Sequence, residues 1–382
     1  NLYVDGRFGS FSTNRLDKKE LETLITNGIE STRYLAVDES RMLADPARYY
    51  KGGKPDLQLF DKKLYEVNPD DKVAIARAAA EEVLGKDERI ISVDSSYSDG
   101  EGSSYRLISN GFEGESKSTW FSVSASVSIK GEGEARPQDY WYDSALFYDK
   151  LTKTGIGAKA LERVLRKLGQ KKAKSGKYTM VVDPMNVGNL LSPMLSALYG
   201  SALQQKNSFL MDKLDTKVAS DLFTLRDEPH AIGANGSRYF DNEGVATEPR
   251  TVFDKGVLKT YFIDTYNGKK MDIAPTISAP SRLILTPGDK DLNGLVADIK
   301  QGILVTGFNG GNSNSSTGDF SYGIEGFLIE DGKLTQPVNE MNVTGNMVTL
   351  WNSLVAVGND PQPNRSWQIP SLVFEGVDFS GL

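Results

Sequence analysis

The sequence predicts an α+β protein of two domains. The first combines helices with an antiparallel β-meander, and the second is a mixed, barrel-like sheet with packed helices. The 382 residues exceed the roughly 100–200 residues of one typical domain. The hydrophobic spacing changes from a helical period to a strand period near residue 88. Hairpin turns join most of the later strands, which favours α+β domains over a doubly wound parallel sheet.

The predicted N-terminal domain covers residues 1–172 and opens with an extended segment followed by two helices. Asp17 and Glu20 form a capping-box pair ahead of apolar residues that recur at helical spacing. The second helix begins at Pro69, because proline suits the first helical position, and it ends at Gly85.

A β-meander is predicted from residue 88 to residue 142. Along one of its strands, apolar residues alternate with serines, which places the apolar set on one face. The apolar members are Phe121, Val123, Ala125, Val127 and Ile129. A helix over 157–168 follows, and the basic run Arg166–Lys177 is interpreted as a helix end and a solvated linker. We place the domain boundary near Gly169–Ser175.

The predicted C-terminal domain covers residues 173–382 and mixes strands, helices and hairpins. Its segments, in order, are a strand at 178–184, an uncharged helix, a short helix and a strand at 206–229, a hairpin turning at Asp254–Gly256, a helix at 291–302, a strand at 303–308, a hairpin turning at Asp331–Gly332 and a helix at 346–358. Neither half contains a repeat or a low-complexity tract.

Residues Pro184–Gln205 carry no charged side chain, although charged residues make up 25% of the chain. We call this segment the neutral window. Three interpretations are open: a membrane span, a buried core helix, or a functional helix without its reactive groups. A membrane helix needs about 20 predominantly apolar residues, and prolines with several Asn, Ser and Gln residues interrupt this segment. A core helix is therefore the ordinary interpretation.

The composition excludes several classes of function. The net charge is −7, which argues against general nucleic-acid binding, because phosphate binding depends on clustered Lys and Arg. The chain has no cysteine, so disulfides, thiol catalysis and cysteine-ligated metals are excluded. No secretory signal is visible, and we expect a cytoplasmic location, but a chain that begins at Asn1 can have lost such a segment.

His230, the only histidine, limits metal and triad chemistry. Catalytic zinc normally takes three protein ligands in which His or Cys is prominent, so a carboxylate site for magnesium or calcium would fit better. A Ser-His-Asp triad could use only His230, and no G-x-S-x-G elbow is present. We interpret His230 as a structural loop residue. Serine–lysine pairs stay open, because they depend on geometry.

A Gly-rich segment, Phe308–Gly323, lies between two predicted strands. A phosphate-binding P-loop would end in Gly-Lys-Ser/Thr and lead into a helix, and this segment has neither feature. We interpret it as a polar loop that lines a cavity, since such loops often carry function on a rigid scaffold.

The second half also contains several short motifs in a definite order. They are Phe240-Asp241 before Glu-Gly, Thr317–Ser321, the hairpin Ile329–Lys333, Gly345-Asn346 at a helix start, and the closing Val357–Asp360. This ordered set resembles the hallmark of the TldD/PmbA family, often named modulator of DNA gyrase. Weaker similarity extends through most of the chain. Family members usually begin with additional strands, so the resemblance implies a trimmed N-terminus.

The resemblance implies a heterodimeric peptidase. TldD-type subunits bind zinc through His-Glu-x-x-x-His on a helix, and PmbA-type subunits, also called TldE, lack this motif. That helix corresponds to the neutral window, which contains no His, Glu or Asp. The C-terminal tail, residues 364–382, has no cysteine to act as a third ligand. The resemblance therefore carries over no catalytic residue, no metal ligand and no cofactor.

Our leading hypothesis is a PmbA/TldE-like subunit that pairs with a TldD-type zinc metallopeptidase, with a second copy of itself, or with both, and helps to enclose unfolded peptides. We expect no nucleic acid and no membrane as a partner. The residues expected to face the substrate cavity are Asn309, Gly311, Asn314, Thr317 and Asp319. The alternatives are a non-enzymatic homodimeric peptide-binding or scaffold protein, and a serine- or carboxylate-dependent hydrolase that acts alone.

Overall fold

Eight α-helices and sixteen strands make up the computed structural model, which describes residues 1–382. The helices are α1 (Lys18–Thr32), α2 (Pro69–Glu81), α3 (Ile156–Leu165), α4 (Gly188–Ser196), α5 (Gly200–Gln204), α6 (Thr265–Met271), α7 (Leu292–Ala297) and α8 (Met347–Asn352). The strands are β1 (Leu2–Val4), β2 (Arg7–Gly9), β3 (Ile90–Ile108), β4 (Phe112–Ile129), β5 (Gln138–Ala145), β6 (Gly176–Val182), β7 (Leu225–Asp227), β8 (Arg250–Asp254), β9 (Val257–Leu258), β10 (Leu283–Leu285), β11 (Gln301–Ser313), β12 (Asp319–Glu330), β13 (Lys333–Asn346), β14 (Leu354–Val357), β15 (Trp367–Gln368) and β16 (Leu372–Ser380). The predicted α+β class is confirmed.

Side-chain caps fix the starts of α1 and α2. Asp17 accepts a hydrogen bond from the backbone N–H of Glu20 at 3.0 Å. Asn68 accepts one from the backbone N–H of Asp71 at 2.9 Å, and Pro69 occupies the first helical position. These caps satisfy donors that every helix start leaves unpaired. Both predicted helix starts are confirmed.

The first half contains an antiparallel sheet with the order β3-β4-β5. Helices α2 and α3 pack against the apolar face of β4. The buried residues on that face include all five of the predicted alternating set: Phe121, Val123, Ala125, Val127 and Ile129. The predicted meander is confirmed, because alternation by two sends one set of side chains into the core.

A closed barrel forms the centre of the second half. Strands β13, β12, β11, β6 and β16 are hydrogen-bonded in that order, and pairing of β13 with β16 closes the circle. Strands β6 and β11 run parallel, and the other pairs of the barrel are antiparallel. Strand β14 pairs with the start of β16. The predicted barrel-like sheet is confirmed.

A second sheet has the order β15-β10-β7-β8-β9. One continuous apolar core joins this sheet, the barrel, α4 and α8. At its centre the fully buried ring of Trp351 lies 4.4 Å from that of Phe223 and 5.6 Å from that of Phe374, measured between centroids. The predicted turns at Asp254–Gly256 and Asp331–Gly332 both join antiparallel strands.

The neutral window forms two short helices, α4 and α5, instead of one continuous helix. Pro193 lies inside α4 and has no N–H to donate to the helix. Tyr199 then turns to extended backbone, and the N–H of Gly200 bonds to the carbonyl of Phe262 at 2.7 Å. A Cβ atom at Gly200 would lie 2.9 Å from Cβ of Asn267, so glycine permits the close contact between α5 and α6.

Three further predictions differ from the structure. Residues 206–223 form turns instead of the predicted short helix, and Lys206, Asp212 and Asp215 adopt left-handed backbone there, which a helix does not tolerate. The predicted last helix ends at Asn352 and continues as β14. The Gly-rich segment is mostly β11 and β12, with only a short turn between them.

No helix combines the length and the apolar character needed to cross a bilayer. The division into domains at 1–172 and 173–382 stays a prediction.

Candidate functional site

The buried face of the neutral window is part of the main core. Leu190, Leu191 and Met194 are fully buried, and the indole N–H of Trp351 donates to the carbonyl of Leu190 at 3.4 Å. The predicted core helix is therefore confirmed in its burial, although not in its continuity. Packing of this kind leaves the polar side chains of the window on its outer side.

Asp183 anchors the start of the window. Its Oδ1 accepts from the side-chain amide of Asn186 at 2.7 Å, and the same amide donates to the carbonyl of Thr306 on β11 at 2.8 Å. Burial raises the pKa of Asp183 to about 6, although the bonds from Asn186 and the charge of Arg163 act in the opposite direction. The carboxylate thus sits in a place that disfavours its charged form.

The residues of the window do not fit a zinc ion. Zinc in proteins is bound by Cys, His, Asp or Glu, whereas the polar side chains here are hydroxyls and amides: Asn186, Asn189, Ser192, Ser196, Ser201, Gln204 and Gln205. No group of three or more His, Cys, Asp or Glu side chains in the structure is arranged to hold a metal ion.

A cavity with a volume of about 1190 Å³ lies beside the end of the window. We call it the main cavity. Its walls come from the N-terminal strands, the tip of β3, α5, α6 and the loop around residue 243. The charged residues that line it are Arg41, Arg106, Glu243 and Asp264. A ligand pocket typically has about 300–1,000 Å³, so the main cavity is large enough for a short peptide.

The polar groups of the main cavity are held in place by specific contacts. Glu243 accepts from the N–H and the hydroxyl of Thr265, each at 3.0 Å, and burial raises the pKa of its carboxyl group. The guanidinium of Arg41 lies 3.7 Å from the ring centroid of Tyr266, a cation–π contact. The hydroxyl oxygen of Ser278 is buried and has no protein hydrogen-bond partner. The cavity therefore offers a carboxyl group, guanidinium cations and a hydroxyl group without a protein partner.

The five predicted cavity residues lie on the β11–β12 hairpin, and all five are exposed. Asn309 and Gly311 belong to β11, and Asn314, Thr317 and Asp319 surround the turn. None of them is among the residues that line the main cavity or the next three cavities. Their role in facing a substrate stays a prediction.

The hairpin turn is nevertheless well ordered and touches the chain just after the neutral window. The hydroxyl of Thr317 donates to Asp319 at 2.8 Å, and the amide of Asn346 donates to the same carboxylate at 2.9 Å. These bonds lower the pKa of Asp319. The hydroxyl of Ser315 donates to the side chain of Asn207 at 2.7 Å. The turn is thus fixed against the segment that follows α5.

Gly311 is required by the shape of the hairpin. Its φ is +98°, and a Cβ atom there would lie 2.1 Å from the carbonyl oxygen of Ser321. The register of β11 and β12 shifts between Phe308 and Gly311, which is a β-bulge. This glycine therefore has a structural explanation that does not involve a ligand.

His230 makes contacts that fit a structural role. Its Nε2 lies 3.1 Å from the hydroxyl of Thr247, which itself donates to the carbonyl of Arg238. Its ring centroid lies 5.0 Å from that of Tyr239. Burial lowers the pKa of His230, and the charge of Lys54 adds to this effect. No carboxylate is hydrogen-bonded to the imidazole, so the acidic member of a Ser-His-Asp triad is missing.

Sequence reasoning missed the charged residues of the main cavity. A weak signal existed for two of them. Glu243 follows two residues after the Phe240-Asp241 motif, and Asp264 stands three residues before Asn267 as a helix cap, accepting from its N–H at 2.7 Å. Neither signal indicates that the two residues meet Arg41 and Arg106 across one cavity.

Both halves of this chain are similar in sequence to known proteins. Residues 62–168 match the central domain of the PmbA/TldA metallopeptidases, and residues 175–381 match their C-terminal domain. A metalloprotease PmbA homolog of Haemophilus influenzae is 28% identical across 100% of this chain and 85% of its own. Metalloprotease PmbA of Escherichia coli O157:H7 is 27% identical across 100% of this chain and 84% of its own.

Solved structures share the fold along nearly the whole chain. One from Bacteroides thetaiotaomicron, a candidate modulator of DNA gyrase, has a TM-score of 0.99 at 74% identity and covers 100% of this chain and 87% of its own. TldE from Thermococcus kodakarensis has a TM-score of 0.79 at 22% identity, over 96% of this chain and 85% of its own. The second likeness concerns the fold alone.

Proposed function

The chain belongs to the TldD/PmbA family, and from this premise we propose that it is a PmbA/TldE-like subunit without a zinc site of its own. It pairs with a TldD-type zinc metallopeptidase and helps to enclose unfolded peptides for proteolysis. The observation that carries the proposal is the neutral window, whose two short helices carry hydroxyls and amides and no His, Glu or Asp. Hydrolysis then depends on groups that the partner supplies.

The main cavity supports a role in holding peptides. Its lining includes Ser201, Gln204 and Gln205, at the polar end of the neutral window, together with the four charged residues named above. Amides and hydroxyls can bond to any peptide backbone regardless of sequence, which suits unfolded substrates. The volume of about 1190 Å³ exceeds what a single amino acid needs.

An open strand edge gives a second way to hold an extended chain. Strand β3 pairs with β4 on one side only, and no other strand pairs with its outer edge. A peptide that adds to such an edge is bound through main-chain hydrogen bonds, which are tolerant of sequence. Both features favour a substrate-binding role over a purely structural one.

Reconstitution with a TldD-type subunit tests the proposal. The full-length protein and the partner are purified separately and together, and zinc content and casein cleavage are measured for each sample. We expect zinc only where the partner is present and cleavage only in the mixed complex. Stoichiometric zinc in this protein alone, or casein cleavage by it alone, would contradict the proposal. A stable homodimer that recruits no activity would favour the scaffold alternative.

The predicted hairpin residues can be tested in the same assay. We expect Thr317→Ala and Asp319→Ala to lower kcat/KM for casein by roughly tenfold or more if the turn faces the substrate, which corresponds to about 1.4 kcal/mol or more. Asp221→Ala, an exposed acidic position elsewhere in the second half, is the matched control and should leave cleavage unchanged. Unchanged cleavage by all three variants would remove the hairpin from the site.

A further inference from the structure

Another cavity, separate from the main cavity, is lined by positively charged residues and by no negatively charged residue. Its volume is about 390 Å³. We call it the cationic pocket. Its twelve lining residues include Lys150, Arg282 and Arg365. These three carry a positive charge and none of the twelve is Asp or Glu, in a chain whose net charge is −7.

The two arginines of the cationic pocket have no ion-pair partner. Burial lowers the pKa of both Arg282 and Arg365. Glu228 acts on Arg282 from a distance, but its carboxylate is bonded to Arg226, with 2.7 Å between Oε1 and Nε. The Nε atom of Arg282 is buried and has no protein acceptor. The guanidinium of Arg365 lies 4.8 Å from the ring centroid of Tyr142 and is stacked, not paired.

Partial burial of unpaired charges costs free energy, so their presence requires an explanation. Lys167, another buried cation, is paired: it contacts Asp139 at 3.2 Å and Glu325 at 2.7 Å. Arg48 also has a buried nitrogen without a partner, Nη1, but its Nη2 donates to the carbonyl of Thr276. Arg250 also has a buried Nε without an acceptor, but the carboxylates of Asp227 and Glu248 act on it. Arg282 and Arg365 share one pocket with Lys150, and no carboxylate lines that pocket. The one carboxylate that acts on Arg282, that of Glu228, is already bonded to Arg226, so the pocket points to a negatively charged ligand.

The walls of the pocket indicate the kind of anion. Leu146, Phe147 and Ile232 form an apolar part beside the cations, so the ligand carries a carbon body next to its charge. Side-chain amides, including those of Gln58 and Asn235, supply neutral donors. Arginine binds carboxylates through two parallel hydrogen bonds. A carboxylate on an organic chain fits this combination better than an inorganic ion, which has no use for the apolar wall.

The loops that form the pocket are held against each other. The amide of Asn235 donates to the carbonyl of Asn364 at 3.3 Å, and the amide of Gln368 donates to the carbonyl of Arg365 at 2.6 Å. A Cβ atom at Gly236 would lie 2.7 Å from Cβ of Ser366, so glycine permits this approach. The pocket is therefore formed before any ligand binds, which reduces the entropy cost of binding.

We propose that the cationic pocket binds the carboxylate of a peptide, supplied either by its C-terminus or by an acidic side chain, through Arg282 and Arg365. That the ligand is a peptide rests on the proposed function, whereas the negative charge of the ligand follows from the pocket itself. A carboxylate held there would anchor an extended substrate at one point on this subunit.

Calorimetry on the full-length protein, without any partner subunit, tests the proposal. Four probes are compared: an acetylated alanine-rich hexapeptide with a free C-terminus, its C-terminal amide, the same amide with one internal glutamate, and inorganic phosphate. We expect at least one of the two acidic peptides to bind about tenfold more tightly than the neutral amide, and the preferred one identifies the source of the carboxylate. Equal binding of all three peptides would overturn the proposal. So would binding of phosphate without any preference for the acidic peptides.

Variants assign the preference to the pocket. Arg282→Gln and Arg365→Gln, made separately so that one variant suffices if the other fails to fold, should each reduce the tenfold preference to about twofold or less. Arg77→Gln removes the same charge from an exposed position on α2 and should retain the full preference. A preference that survives in both pocket variants contradicts the assignment. Casein cleavage by the wild-type reconstituted complex is measured separately. If that complex does not cleave casein but the wild-type protein still prefers acidic peptides, the proposed role as a peptidase subunit is contradicted and the proposed pocket is not.

Discussion

Positive charge is buried in two different ways in this molecule. At the junction of α3, β5 and β12, Lys167 is 7% exposed and its ammonium contacts two carboxylates and the carbonyl of Gln138. In the cationic pocket, Arg282 and Arg365 are partly buried without a carboxylate partner. Desolvation opposes folding in both places, but only the first is offset by contacts within the chain. The comparison distinguishes charges that stabilise the fold from charges that are available to bind a ligand.

Asp183 stands between these two cases. It is buried and has no cation within ion-pair distance, yet hydrogen bonds from Asn186 partly satisfy it. Its pKa is raised to about 6, mainly because of burial. The hydrogen bonds to Asp183 therefore offset the cost of burying its charge less fully than the two carboxylates offset that cost for Lys167. The three sites form a graded series that stability measurements can order.

The largest expected effect is at Lys167. Lys167→Met should lower the free energy of unfolding by about 3–5 kcal/mol, because Glu325 would lose its only cation and Asp139 would keep only Arg163 in a buried setting. Chemical denaturation at pH 7 measures this change. Lys159→Met, at a half-buried position of α3, is the matched control and should change stability by less than about 1 kcal/mol, because the ammonium of Lys159 bonds to Glu162, which is largely exposed to solvent. If the two variants behaved alike, the buried cluster would not stabilise the fold.

The next effect has the opposite sign. Because the folded pKa of Asp183, about 6, lies above the ordinary value of 3.8, the folded state binds more protons between these values, and stability rises as the pH falls through 6. Asp183→Asn removes the charge and should raise the free energy of unfolding at pH 7.5 by on the order of 2–3 kcal/mol. At pH 4 the gain should shrink to within about 1 kcal/mol, because the folded wild-type carboxyl group is then protonated and the pH lies close to the unfolded pKa, so little of the charge-burial cost is left.

Denaturation of wild type and variant across this pH range measures the difference. Asp212→Asn, at an exposed turn position, serves as the control and should show little gain at either pH. A gain for Asp183→Asn that is equal at pH 7.5 and pH 4 would show that packing, not charge, is responsible.

Features of the fold that depend on neighbouring residues could be predicted from the sequence, whereas features that depend on distant contacts could not. The alternation from Phe121 to Ile129 was sufficient to predict a buried strand face, because such a pattern depends only on neighbours along the chain. The break in the neutral window was not predicted. It depends on the contact of Gly200 with Phe262 and Asn267, which are distant in sequence.

The candidate sites were harder to predict than the fold for a physical reason. The resemblance to a family relied on contiguous motifs, and these lie mainly on hairpins such as Thr317–Ser321. The main cavity instead combines Arg41, Arg106 and Glu243 from three separate segments. Arg41 and Arg106 belong to none of the motifs, and the Phe240-Asp241 motif near Glu243 does not indicate that the three residues line one cavity.

The smallest expected effect is in the cationic pocket, and it tests the comparison most directly. Arg282→Gln removes a partly buried charge that has no ion-pair partner, so the free energy of unfolding should stay within about 1 kcal/mol of wild type or rise. Arg238→Gln is the matched control, because Arg238 bonds to the hydroxyl of Ser281 at 2.9 Å and to the carbonyl of Ala279 at 2.8 Å. Its loss should cost about 1–3 kcal/mol. If Arg282→Gln destabilised the protein as much as Lys167→Met does, Arg282 would belong with the charges that hold the fold. A neutral or stabilising change leaves ligand binding as the reason for its position.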